Sequence, residues 1–133
     1  MRLWHYKLIP YLPKSQLVAQ WRELNSIYKK QDKHLLINYI YDYDKGNLLA
    51  YSKMVIEEMV KRGYKINNWD NYTNYFHDLV LKCNNVHPFY KHHNDNYLIQ
   101  CFYNLQEKFD RGQKDFTREQ YDDLEDFIKE EFE

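Results

Sequence analysis

Two groups near the start of this chain could do chemistry together. Met1-Arg2 supplies an amino terminus, and a segment with helical spacing further on carries Arg22-Glu23-Leu24. An α-amine titrates at about 7.7–8.0, against about 10.4 for a lysine, so far more of it is unprotonated at neutral pH. The unprotonated amine attacks an electrophilic carbon and can condense to an imine. A carboxylate held beside it stabilises the cation that forms and moves protons. The Met1 amine with Glu23 is therefore the minimum equipment for Schiff-base chemistry on a sugar aldehyde. Every chain has an amino terminus, however, and an Arg-Glu pair on a helix also reads as a solvated ion-pair face.

Local patterning shows which elements would have to position these groups. Pro10 and Pro13 predict a rigid, non-helical tether over residues 9–13. A helix follows from Ser15 to Lys29, with Leu17, Trp21, Leu24 and Tyr28 at i, i+4, i+7 and i+11 on one stripe. Glu23 falls off that stripe, on a face with Gln16, Ala19, Gln20 and Ser26. Ala19, one turn earlier, leaves open space beside the carboxylate, which fits a site floor or a solvated helix face. Residues 31–46 read as a long connection, its Tyr39-Ile-Tyr-Asp-Tyr-Asp44 run either briefly extended or a loop packed by its tyrosines. Asn47 is a candidate N-cap for a helix over 48–62, with Leu48, Tyr51, Val55 and Met59 inward. Lys61 and Arg62 in its last turn and Gly63 beyond it form a stop signal. A third helix is expected over 71–83, capped by Asp70 or Asn71, with Tyr72, Phe76, Leu79, Val80 and Cys83 inward. A fourth covers Asp95 to Phe109 through Leu98, Cys101, Phe102 and Leu105. A fifth, 118–131, starts from a capping box at Thr117 and Gln120 and turns Tyr121, Leu124, Phe127 and Ile128 inward. The fold class is all-α: one compact domain over residues 1–133, with four to five helices and an extended N-terminal tether.

Composition narrows the function classes. At 133 residues the chain makes one domain that buries about two-thirds of its unfolded surface. The 14 Tyr, 7 Phe and 3 Trp fit either an aromatic core or a stacking surface. No apolar run is long enough to span a membrane, and no apolar signal region stands at the start. Cys83 and Cys101 lack metal spacing and fit a reducing, cytoplasmic setting, with a disulfide between them as the alternative. The net charge of −1 conceals +6 over residues 1–92 and −7 over 93–133. A nucleic-acid ligand would meet the first two-thirds of the chain; the alternative is ordinary surface charge with an acidic last helix. His87, His92 and His93 match no helical ligand pair and have no Cys or acid at ligand spacing, so a loop of surface histidines is expected and no metal. Three glycines build no phosphate-cradling loop, so no nucleotide or other small-molecule cofactor is expected. Nothing resembles a nucleophile elbow.

A longer pattern ties the candidate residues together. Arg2 is followed at fixed distances by Leu17, Ala19, Arg22-Glu23-Leu24 and Lys33-His34. Tyr41-Asp-Tyr-Asp-Lys45 leads into the second helix, and Lys61-Arg62-Gly63-Tyr64-Lys65-Ile66 closes it. Tyr90, His93 and Leu105-x-Glu107-Lys108 extend the series. In this order and spacing, residues 1–110 resemble the pyrimidine-dimer DNA glycosylase family of T-even phage type. The opening Met-Arg-Leu-Trp-His-Tyr is similar to a bacterial branch assigned to that family. Residues 111–133 stand outside the likeness as an acidic helical extension.

The resemblance implies a helical fold, a monomer, and double-stranded damaged DNA as partner. It implies a bifunctional reaction in which the terminal amine displaces a damaged pyrimidine at C1′ and forms an imine. A carboxylate matching Glu23 stabilises the cationic sugar, and β-elimination then nicks the strand. DNA contacts are implied for Arg2, Arg22, Gln16, Lys33, His34 and Lys108. Members of phage type lose the initiator Met and expose a small residue ahead of the arginine. Here Arg2 follows Met1 directly, which blocks removal and makes the Met1 amine the nucleophile. Gln16 stands where those members have a DNA-contacting histidine, and the acidic 117–133 helix replaces an aromatic, basic C-terminus. Two other readings of the same scaffold are a non-catalytic nucleic-acid or protein-binding module and a nuclease-like enzyme acting on another damaged base.

Overall fold

The computed structural model describes residues 2–31, 33–77 and 87–133. Among them are five α-helices: α1 (Lys14–Lys30), α2 (Lys45–Lys61), α3 (Trp69–Tyr75), α4 (Asp95–Asp110) and α5 (Arg118–Glu131). The described residues contain no strand. Their core gathers the apolar stripes of all the long helices, with Leu17, Trp21, Leu24 and Tyr28 of α1 against Leu48, Tyr51, Val55 and Met59 of α2. α1 packs on α2 and α3, and α4 on α5. No helix among the described residues is long and apolar enough to cross a membrane.

The N-terminal segment is not the plain tether expected. Residues Tyr6–Tyr11 form a 3₁₀ turn that runs through Pro10. Proline's fixed φ suits a 3₁₀ turn, and a turn this short loses only one hydrogen bond to the missing N–H. The segment packs on α2, α4 and α5. Tyr11 stacks on Phe127 with ring centroids 4.7 Å apart, and Lys7 pairs with Glu131. Arg62 ties it to the end of α2, donating from Nη1 to the Leu12 carbonyl at 2.7 Å and from Nη2 to the Pro10 carbonyl at 3.0 Å. Its Nε bonds Glu58 at 2.7 Å. The Lys-Arg-Gly motif thus has a structural task, satisfying carbonyls that a proline-broken backbone leaves over.

Of the two readings of the connection after α1, the loop packed by its tyrosines holds: it contains a second 3₁₀ turn, Asn38–Asp42, and Tyr39, Tyr41 and Tyr43 pack against the core. Further differences from the sequence expectations have local causes. α2 begins at Lys45 because Asp44 caps it, its carboxylate accepting the Gly46 N–H at 3.0 Å. Asn47 is inside the helix and accepts the Phe89 N–H at 2.9 Å. α3 begins at Trp69 behind Asn68, which adopts a left-handed conformation with φ 59° and makes no side-chain cap. The stretch expected to continue to residue 83, with Leu79, Val80 and Cys83, lies outside the described residues. Cys101 is buried and unpaired.

His93 is not on the surface as expected but 4% exposed. Its Nδ1 accepts the Tyr6 N–H at 3.3 Å and its Nε2 meets the Tyr39 hydroxyl at 2.6 Å. Burial, with the neighbouring His5 and His92, pushes its pKa down to about 2, so it stays neutral and holds the N-terminal turn.

The α2 terminus separates two glycine roles. Gly63 has φ 80° and carries a Schellman pattern, with Gly63 N–H on the Val60 carbonyl at 3.0 Å and Tyr64 N–H on Met59 at 2.9 Å. A Cβ there would meet nothing within 4 Å, so the cost of Gly63→Ala is conformational alone, about 1 kcal/mol. Gly46 lies in the first turn of α2, where a Cβ would make an ordinary 3.5 Å contact with Asp44. Gly46→Ala is expected to stabilise by about 0.4–1 kcal/mol. Denaturant titration of the two variants should move the midpoint in opposite directions; equal shifts would contradict these backbone assignments.

Candidate active site

The backbone of residues 2–4 lies against α1 because a buried amide holds it there. Gln20 is 0% exposed and occupies a core-facing register, at i+3 between Leu17 and Trp21. Its Oε1 accepts the Trp4 N–H at 2.9 Å, and its Nε2 donates to the Arg2 carbonyl at 3.1 Å. The same Nε2 donates to Glu23 Oε2 at 3.1 Å. The fully buried Tyr51 hydroxyl lies 2.6 Å from the Trp4 carbonyl and 2.9 Å from Gln20 Oε1. From α4, the Tyr97 hydroxyl donates to the Leu3 carbonyl at 2.5 Å. Side chains of α1, α2 and α4 therefore fix three consecutive residues at the start of the chain.

Glu23 is the carboxylate that faces this segment. Burial lifts its carboxyl above the ordinary value, against the charge of the amino terminus, a hydrogen bond from the Arg2 backbone, and the charges of Arg22 and His34. A half-desolvated carboxylate gripped by two donors has a defined orientation and an adjustable proton. It opens on a cleft of about 250 Å³ lined by Arg2, Trp4, Gln16, Ala19, Glu23, Leu36, Asn104 and Lys108. That volume is just below the lower end of small-molecule pockets, enough for one sugar or one base edge.

The structure brings together Arg2, Gln16, Glu23 and Lys108 of the residues named from sequence, with Ala19 on the wall as the spacing suggested. Arg22 and His34 are exposed and outside the lining, but their charges reach Glu23. Lys33 is exposed and also outside the lining. Met1 lies outside the described residues. Trp4, Leu36 and Asn104 were not foreseen, since no local pattern marks residues that meet only when three distant segments converge. Gln20 did leave a signal: a polar residue at an apolar-stripe position asks for a buried partner. The Arg2 guanidinium carbon is 5.9 Å from the Tyr97 ring, so Arg2 borders both the cleft and the aromatic packing behind it.

A sequence model of the pyrimidine dimer DNA glycosylase family matches residues 1–71. The chain belongs to this family. No curated protein and no solved structure matches it. The matched span contains the N-terminal segment, Gln16, Gln20 and Glu23, and it ends at the residues of α3. As a pyrimidine dimer DNA glycosylase the protein acts on DNA. The cleft described above is its candidate active site, with one wall, Asn104 and Lys108 of α4, supplied from beyond the matched residues.

The raised pKa of Glu23 makes a stability prediction with a definite sign. The folded state holds the Glu23 proton more tightly than the unfolded chain does. The stability this contributes is present below the unfolded value, about 4.3, and is lost as pH rises through the folded value. Glu23→Gln removes that loss. Thermal unfolding of the variant minus that of the parent should therefore shift in the variant's favour between pH 4 and pH 8, whatever the offset at pH 4. A constant difference across that range would mean that Glu23 is not desolvated.

Proposed function

We propose that the protein is a bifunctional glycosylase and abasic-site lyase working through the amine of Met1 and the carboxylate of Glu23. The observation that carries this reading is the hydrogen bonding of Glu23, which takes Gln20 Nε2 and the backbone of Arg2. Covalent geometry keeps an α-amine within about 4 Å of the next residue's nitrogen, so the hydrogen bond between Glu23 and the Arg2 backbone supports pairing this carboxylate with the terminal amine.

In the proposed sequence the unprotonated amine attacks C1′ of the damaged nucleotide as the N-glycosidic bond breaks. The base leaves with the bonding electrons and takes up a proton. Glu23, ionised at this stage, stabilises the oxocarbenium-like sugar through charge in a partly dry site. Opening of the C1′–O4′ bond with loss of the amine proton gives the imine, and the O4′ oxygen takes a proton from the Glu23 side. Removal of a C2′ proton then expels the 3′ phosphate oxygen, and water hydrolyses the imine to free the amine. A carboxyl whose pKa lies above the ordinary range suits a group that must both give and take protons.

Arg2 and Lys108 border the cleft with positive charge, the charges of Arg22 and His34 reach Glu23, and Lys33 is an exposed cation of the same loop as His34. We assign these residues to phosphate contacts and Gln16 to the substrate itself. Each lost phosphate contact should lower the magnitude of the salt slope of log K by about 0.9.

Two variants separate the amine from the carboxylate. Glu23→Gln keeps the shape but removes the charge, and it should lower single-turnover cleavage of abasic and dimer-bearing duplex by about 10²-fold or more while DNA affinity changes little. An uncleaved N-terminal peptide turns the amine into an amide, and cleavage should vanish and return when the peptide is removed. Undiminished turnover in Glu23→Gln would make Glu23 an ordinary helix residue. Full activity of the blocked protein would move the chemistry to another nucleophile.

A further inference from the structure

Gln16 sits in the cleft floor with its amide orientation set from outside the family-matched span. On the loop between α4 and α5, Asp115 Oδ2 accepts both the N–H and the hydroxyl of Ser15, each at 2.6 Å. Pro13 at the head of α1 makes no side-chain cap, so Asp115 supplies one from 100 residues away. Its other oxygen, Oδ1, accepts Gln113 Nε2 at 2.8 Å. Burial lifts the Asp115 carboxyl, but the hydrogen bonds from Ser15 and Gln113 outweigh it and hold it below the usual carboxylate range. Asp115 is thus an ionised group that only accepts hydrogen bonds.

That restriction propagates. The Gln113 atom facing Asp115 must be the nitrogen, and the same nitrogen lies 2.7 Å from Gln16. Gln16 must therefore offer its oxygen to Gln113. Its NH₂ group has no protein partner among the described residues and is what Gln16 has left to offer the cleft it lines. An amide free to rotate could present either a donor or an acceptor; this one is committed to donating.

We propose that the Asp115–Gln113–Gln16 relay makes Gln16 a fixed hydrogen-bond donor to a carbonyl oxygen of the pyrimidine entering the cleft, with Asp115 and Gln113 as positioning residues. The proposal rests on the cleft receiving the damaged nucleotide, and it does not depend on which group is the nucleophile. A donor locked toward the cleft favours a ring edge bearing oxygen and disfavours one bearing an amine, since a mismatched buried pair leaves two polar groups unsatisfied. Phosphate oxygens also accept hydrogen bonds, so the test must separate base from backbone.

The test is equilibrium binding of three duplexes: one with a thymine dimer, one with a dimer whose pyrimidine carries a 4-amino group, and one with a stable abasic analogue. Asp115→Asn keeps an oxygen for Ser15 but turns an NH₂ toward Gln113, which reverses both downstream amides and points the Gln16 oxygen into the cleft. The expected result is a loss of about tenfold in thymine-dimer affinity relative to the abasic duplex, the size of one hydrogen bond to a buried group. A gain on the 4-amino dimer assigns the contact to the C4 oxygen, and an equal loss on both dimers assigns it to the C2 oxygen. Gln113→Leu leaves the Asp115–Ser15 cap in place and frees Gln16 to rotate, so it should weaken dimer preference without reversing it. This second variant carries the test if Asp115→Asn lowers the melting temperature. Equal weakening of all three duplexes, or no change in either folded variant, would overturn the proposal. Because affinity is read rather than turnover, failure of the Met1–Glu23 chemistry would leave this result standing.

Discussion

One carboxamide holds the start of this chain in place. Gln20 is fully buried in α1, yet its amide meets the Trp4 N–H, the Arg2 carbonyl and Glu23. Removing it would strand the Trp4 N–H in the core, where an unpaired donor costs about 1–3 kcal/mol. The N-terminal residues of most proteins fray because little ties them down. Here the ties are made to residues 2–4 themselves, by Gln20, Tyr51 and Tyr97 from three helices. The arrangement joins folding to chemistry, because the bonds that complete the core also bring the Arg2 backbone to Glu23.

The electrostatics follow from the same packing. Glu23 is drawn from water by the N-terminal segment lying over it, which raises its pKa, while neighbouring positive charges keep it able to ionise. Behind it the environment is apolar and aromatic, and deep burial lifts Tyr51 and Tyr97 well above the tyrosine range, so their hydroxyls remain donors. In front is the open cleft with Arg2 and Lys108 at its border. A polarised wall of this kind fixes the orientation of the carboxylate on which the proposed chemistry relies.

Much of the fold was legible because its determinants are local. The stripe of α1, the capping box of α5 and the Gly63 stop are patterns within a dozen residues, and these elements stand where they were expected. Misreadings occur where a distant partner decides. Asn47 and Asp44 are both able caps, and Asn47 is diverted to the Phe89 N–H 42 residues away. His93 looks like a loop histidine until Tyr6 and Tyr39 close over it. Gln20 was grouped with the face of Glu23, read as a site floor or a solvated surface, although its register is that of Leu17, Trp21 and Leu24 and it is buried. The site shows the same division. Glu23 was marked by its chemistry before the resemblance supported it, Gln16 and Lys108 came from the resemblance, and Trp4, Leu36 and Asn104 emerge only from the convergence of the N-terminal segment, a loop and α4.

The central claim is that the amine beside Arg2 is the nucleophile and Glu23 its partner. Borohydride reduction of the protein with an abasic duplex converts any imine to a stable secondary amine, and fragmentation of the digested adduct locates the modified nitrogen. The account expects a single adduct on the α-amine of Met1, and none after reductive methylation of that amine to the tertiary form. A sugar remnant on a lysine side chain, or trapping that persists once the α-amine is dimethylated, would contradict it.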